Sequence, residues 1–245
     1  LRFGWKRIHH REENVVVAVT GCYQFVDMET NEEITTFANN HSFGAAYTEN
    51  GKMYVIGTAG GFGSNTLKLF VSDDLQNWEE HIIFSAPAWI IYNVSICKGK
   101  DDYILAIEIS HPVSIAGEHP YTIVFAHSKD LYHWELMDTE RYIYRKDRYA
   151  ACPAIRYVGG YYYMIYLESF VGYNSVPYIV RSMDLLEWDL APMNPVMFYS
   201  DDDRIIEHPE FFNEEELFDI KNSLNTNNSD VDLCDWQGKT IILYS

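Results

Sequence analysis

Four acidic residues stand where segments of apolar pattern begin or end, and carboxyl groups placed there can give and take protons on a bound molecule. Glu108 closes the run Tyr103-Ile104-Leu105-Ala106-Ile107, and Glu168 follows Tyr166-Leu167. Asp230 and Asp232 open Asp230-Val231-Asp232-Leu233-Cys234. Each also reads as a solvated strand end or a turn cap, Asp232 and Glu108 most of all. Other chemistries find less support. Cys22, Cys97, Cys152 and Cys234 form no Cys-x-x-Cys pair, so a zinc knuckle and a redox dithiol are both excluded, and the apolar neighbours of Cys97, Cys152 and Cys234 suit buried, reduced thiols. The nine His include no His-Glu-x-x-His, and the glycines from Gly57 to Gly63 lack the Lys-Ser/Thr of a phosphate loop.

The acids are spaced by a repeat. Ser-x-Asp-Leu-x-x-Trp occurs at Ser72–Trp78, Ser128–Trp134 and Ser182–Trp188, with Trp spacings of 56 and 54 residues. That is close to the roughly 40–50 residues of a four-stranded propeller blade with somewhat longer loops. Ser and Asp side chains can bond turn backbone, Leu tucks inward, and Trp starts the next strand. Upstream of each copy lie two strand-like segments joined by a turn, as in Gly44–Tyr47 with Gly51–Ile56 and Ala154–Tyr157 with Gly159–Tyr166. One repeat therefore reads as inner strand, turn, second strand, loop, third strand ending in the motif, and outer strand. The expected class is all-β. Repeats fall at about 40–90, 91–145 and 146–200, with a partial one at 229–245, all in a single domain. Residues 200–228 read as an insertion holding Asp201-Asp202-Asp203 and a short helix over Asn213–Ile220. Val15–Val19 also looks like strand. Two architectures compete: a five-bladed β-propeller of four-stranded antiparallel blades, incomplete in this chain, and a closed four-bladed ring. The first is preferred because the second leaves unfinished edges to be covered.

The segment from Cys152-Pro153-Ala154 to Tyr161-Tyr162-Tyr163-Met164, taken with the Ser-x-Asp-Leu-x-x-Trp copies, resembles the five-bladed β-propeller glycosidases of families 43 and 32. The resemblance spans roughly residues 40 to 245 as a repeat pattern. It implies acidic residues at inner-strand starts, often as Asp-Pro facing a central funnel, and two carboxyl groups across the scissile bond. This chain departs from it in two places: Cys152-Pro153 replaces Asp-Pro in the third repeat, and His41-Ser42-Phe43 offers no acid in the first. Only Ser229-Asp230-Val231-Asp232 keeps carboxylates at such a start. Because adjacent strands run antiparallel, the ends at Glu108 and Glu168 belong on the same rim as Asp230, Asp232, His41 and Asn93. The resemblance implies Asp230 as base or nucleophile and Glu168 as general acid, with Asp232 and Glu108 as further candidates. His41 would protonate a leaving group or bond a sugar hydroxyl, or else be simply hydrogen-bonded at a strand start, and Asn93 would bond substrate. Arg148, Tyr149 and Arg156 would grip a hydroxyl or a uronic acid, or else form ion pairs on an acidic surface. Trp89 and Tyr173 would stack on a sugar face. No organic cofactor is implied; the family resemblance admits a calcium or sodium ion in the funnel, although no Asp-x-Asp-x-Asp-Gly loop is present.

The 245 residues carry 18 basic and 36 acidic side chains, a net charge of −18, which disfavours nucleic acid as a partner. With 47% hydrophobic and 16% aromatic residues the chain has material for a packed core. No apolar run approaches the roughly 18 residues of a membrane span, and the first residues lack signal-peptide anatomy. Cytoplasmic residence and secretion after signal removal both stay open, as does the oligomeric state. Three functions compete: a glycoside hydrolase, a non-catalytic propeller binding glycan or protein, and a glycoside phosphorylase. The last needs a basic cluster, for which Arg148 and Arg156 are the visible candidates.

Overall fold

The computed structural model describes residues 21–27, 30–60, 63–119, 121–169, 175–206, 208–224, 228–236 and 239–244. The strand-like stretch Val15–Val19 and the stacking candidate Tyr173 lie outside them. A hairpin of β1 (Tyr23–Val26) and β2 (Glu33–Phe37) precedes a four-stranded antiparallel sheet of β3 (His41–Glu49), β4 (Lys52–Ala59), β5 (Thr66–Ser72) and β6 (Glu79–Ser85). The second sheet runs β7 (Ile90–Lys98), β8 (Tyr103–His111), β9 (Thr122–Ser128) and β10 (Trp134–Leu136), with β11 (Ile143–Tyr144) also pairing with β9. The third holds β12 (Ala151–Val158), β13 (Tyr161–Ser169), β14 (Ser175–Ser182) and β15 (Asp189–Leu190). After a helix at Glu214–Asn222, capped by Asn213, comes a hairpin of β16 (Asp232–Trp236) and β17 (Lys239–Leu243). The chain is all-β, built from successive antiparallel sheets. No helix among the described residues is long and apolar enough to cross a membrane.

The three motif copies form three equivalent turns between third and fourth strands. In the middle copy Ser128 Oγ accepts the amides of Asp130 and Leu131 at 3.2 and 2.9 Å, and Asp130 Oδ1 accepts those of Tyr132 and His133, both at 2.9 Å. The other copies repeat this at Ser72 and Asp74 and at Ser182 and Asp184. Such local bonds replace ladder partners that a turn removes. They also hold the Asp130 carboxyl well below the usual carboxylate range, the His133 side chain contributing most. Leu75, Leu131 and Leu185 take left-handed φ values of 62°, 72° and 65°. For a bulky residue this is strained, and burial of Leu131 and Leu185 compensates. Asp130→Ala strips acceptors from two turn amides, so we expect a loss of about 1 kcal/mol and a midpoint lower by about 2–4 °C in thermal unfolding.

The sheets pack face to face, and β8 shows how. Tyr103, Leu105, Ile107 and Ile109 join a core shared with the first sheet, whereas Ile104 and Ala106 join one shared with the third. Strand alternation thus buries both faces of one strand. A third core joins the N-terminal hairpin to the first sheet through Tyr23, Phe25, Phe37 and Phe70, with Phe37 stacked on Trp78 at 3.7 Å. Here two glycines are obligatory. A Cβ on Gly57 would fall 1.7 Å from Tyr23 Oη, and one on Gly44 would fall 2.7 Å from the Tyr23 ring. Tyr23 in turn donates to Ser42 O at 2.8 Å, so its ring cannot retreat without breaking a buried bond. Gly57→Ala is expected to cost about 1–3 kcal/mol through overpacking, measurable as a lower urea midpoint.

Candidate functional site

The inner strands break register where they begin. Pairing skips two residues between Ser42 and Ala45 in β3, between Ile91 and Val94 in β7, and between Ala151 and Ala154 in β12. Phe43 and Cys152 in these steps have left-handed φ of 52° and 50°, and Asp230, just before β16, has 48°. Bulges of this kind turn side chains out of the sheet and free backbone groups from the ladder. The result is an open cleft of about 310 Å³ to which the first three sheets and the last hairpin contribute His41, Phe43, Asn93, Cys152, Asp230 and Asp232. Among the described residues that line it there is no Lys or Arg, although Arg156 bonds the lining Asp232 from behind.

Two carboxyl groups meet around Cys152. Glu108 Oε2 accepts Asn93 Nδ2 at 2.9 Å and the Cys152 amide at 2.8 Å. Cys152 Sγ lies 3.3 Å from Asn93 Nδ2 and donates to Asp230 Oδ1 at 3.2 Å. Contacts of 2.9, 3.3 and 3.2 Å therefore link the two acids through Asn93 and the sulfur. Glu108 occupies the face of β8 turned to the third sheet and is only 3% exposed. Burial pushes its pKa up to about 7, with the Asp230 charge adding to the rise against the bonds from Cys152 and Asn93. A solvated strand end, the sequence expectation, would feel no such burial. Asp230 is exposed in the cleft. Tyr149, half-buried beside this group, has its hydroxyl pKa raised by burial and by Cys152, Glu108, Tyr121 and Asp230.

The remaining sequence candidates are placed as follows. Glu168 is buried, accepting Arg148 Nη1 at 2.6 Å and Tyr166 Oη at 2.7 Å, and is not among the residues lining the cleft. Arg156 bonds Asp232 Oδ1 at 2.8 Å and the Leu233 carbonyl, tying β12 to β16. His41 directs Nδ1 at the carbonyls of Asn39 and Ala38, at 3.0 and 3.2 Å, and its ring meets Phe70 edge-on. Trp89 packs on Phe84 at 5.4 Å in the core of the first two sheets. The sequence presents Cys152 as a reduced, buried thiol and as a departure from Asp-Pro, and it does not single out Tyr92 and Tyr121. These two continue an edge-to-face series from Phe43 to Tyr149, at centroid spacings of 5.8, 4.8 and 5.5 Å. For the ion that the family resemblance admits, the side chains fit poorly: the described residues hold no group of three His, Cys, Asp or Glu suited to a metal, and Asp232 is already bound by Arg156.

Over 92% of this chain and 73% of its counterpart, the structure superposes on BT0996 in an RGII complex, with a TM-score of 0.61 and 14% identity. A structure described as a glycoside hydrolase covers the same shares, with a TM-score of 0.60 and 14% identity. The fold is shared with propeller glycosidases. The Bombyx mori GH32 beta-fructofuranosidase BmSUC1 aligns at 17% identity and a TM-score of 0.56, over 84% of this chain and 40% of that enzyme. A mutant of that enzyme in complex with sucrose aligns with a TM-score of 0.55 and 17% identity, over 83% and 41%. No family model matches this sequence, and no curated protein matches it either.

Proposed function

We propose that the cleft hydrolyses a glycosidic bond of an uncharged oligo- or polysaccharide, with Glu108 as proton donor and Asp230 as base or nucleophile. The observation that carries this reading is the linked pair of carboxyls in unlike surroundings, Glu108 buried with a pKa near 7 and Asp230 exposed to the cleft. Environments that push two acids apart in this way assign one as acid and the other as base. Glu108 lies one contact behind the lining residues Asn93 and Cys152, so its proton reaches the leaving oxygen once Asn93 turns aside, or through one water. Asn93 and His41 are the hydroxyl-binding candidates, and the arc from Phe43 to Tyr149 offers apolar edges to a sugar ring. Glu168, held by Arg148, braces the third sheet in this scheme. The sheets correspond to blades of a five-bladed ring, with β1–β2 and β16–β17 belonging to blades that have fewer strands here.

A cleft whose described lining residues include no Lys or Arg favours neutral sugars, and BmSUC1 with sucrose offers a neutral precedent in the same fold. Phosphorolysis would need cations for the incoming phosphate and is the weaker fit. A non-catalytic glycan-binding propeller is favoured by one observation, the Phe43 and Cys152 found where the resemblance leads one to expect acids. Reducing ends released from a panel of neutral oligosaccharides and aryl glycosides separate these readings. Asp230→Asn should stop release while calorimetry still detects binding. Binding with no release by the unaltered protein would sink the hydrolytic reading in favour of the binding one.

A further inference from the structure

We propose that Cys152 is a positioning residue that ties the two cleft carboxyls together, its amide held on Glu108 and its thiol on Asp230. This rests on the hydrolytic reading above. The bulge at the start of β12 gives Cys152 no ladder partner, so its N–H is free to meet Glu108 Oε2 at 2.8 Å while the left-handed backbone sends Sγ to Asp230 Oδ1 at 3.2 Å. Asn93, 3.3 Å from the sulfur and 2.9 Å from Glu108, braces the same link from β7. The groups around the sulfur are therefore Glu108 from β8, Asn93 from β7, Asp230 from the segment just before β16 and Tyr149 from the segment before β12. Close packing and the two acids raise the thiol pKa well above its ordinary value, so at neutral pH the sulfur remains a donor. A thiol in this slot thus acts as a neutral strut between two acids; a third carboxylate there would repel both.

The test uses Cys152→Ala and Cys152→Ser, assayed on a glycoside that the unaltered protein turns over. Loss of a hydrogen bond to a charged group should lower kcat by about 10- to 100-fold in Cys152→Ala, with KM changed little. Cys152→Ser, which still carries a donor, should recover most of that loss. A second measurement does not depend on turnover: iodoacetamide labelling of Cys152 at pH 8, located by peptide mapping. Asp230→Asn removes a negative neighbour and should speed labelling by about tenfold. Equal labelling rates would overturn the contact, and equal kcat in Cys152→Ala would overturn the positioning role. Faster labelling in Asp230→Asn, in a protein that cleaves no glycoside, would overturn the hydrolytic reading while leaving the contact standing.

Discussion

Glu108→Gln is expected to lower glycoside turnover by about 10²- to 10⁴-fold, the usual contribution of a general acid. The amide oxygen of Gln can still accept from Asn93 and from the Cys152 amide, so the cleft wall should persist while the transferable proton is gone. In the unaltered protein, activity should fall as pH rises through about 7, where Glu108 ionises; the residual activity of the variant should lack that limb. Stability must follow the same titration. The carboxyl has a folded pKa raised from 4.5 to about 7, so the neutral form favours folding fully below pH 4.5, and the benefit is lost as pH rises through 7. The amplitude is about 3 kcal/mol at 1.36 kcal/mol per unit. Urea unfolding at pH 5 and pH 8 should show this decline in the unaltered protein and a much smaller one in Glu108→Gln. An identical decline in both would mean that Glu108 titrates normally, which removes the basis for its role as acid.

How much of this site the sequence discloses depends on how local each interaction is. The Ser-x-Asp-Leu-x-x-Trp turns are legible because Ser128 and Asp130 bond amides two and three residues away. The left-handed φ of Leu131 is not, since nothing in a Leu side chain asks for it and only the packing around it offsets the strain. Glu108 illustrates the middle case. Alternation in Tyr103–Ile109 assigns it to one face, but that this face is covered depends on β12, more than forty residues on. Cys152 is opaque because register bulges leave no composition signature, and its slot reads as a buried thiol or a missing acid rather than as a link between two acids. Arg148 and Glu168 are each visible as candidates. Their pairing arises from the return of β13 past the start of β12, where Ala151 lies opposite Leu167.

That pairing yields the second large effect. Arg148→Met keeps most of the aliphatic stem and deletes the charge facing Glu168, leaving a carboxyl whose side chain is only 3% exposed with Tyr166 as its remaining hydrogen-bond donor among the bonds described above. Breaking a buried ion pair from one side costs about 3–5 kcal/mol, and the half-exposed guanidinium, which lets water reach the site, brings the expectation to about 2–4 kcal/mol. Glu168→Gln should cost less, because Arg148 keeps Asp147 at 3.4 Å and can turn its charge to solvent. The double variant Arg148→Met/Glu168→Gln should then recover much of the loss, and the resulting coupling energy is read from a double-mutant cycle in urea. The cycle also separates the two glutamates by function. A bracing Glu168 makes the stability losses large and leaves the alkaline limb of the rate profile with Glu108. A proton-donating Glu168 would instead make Arg148→Met move that limb, and the assignment of the acid would pass from β8 to β13.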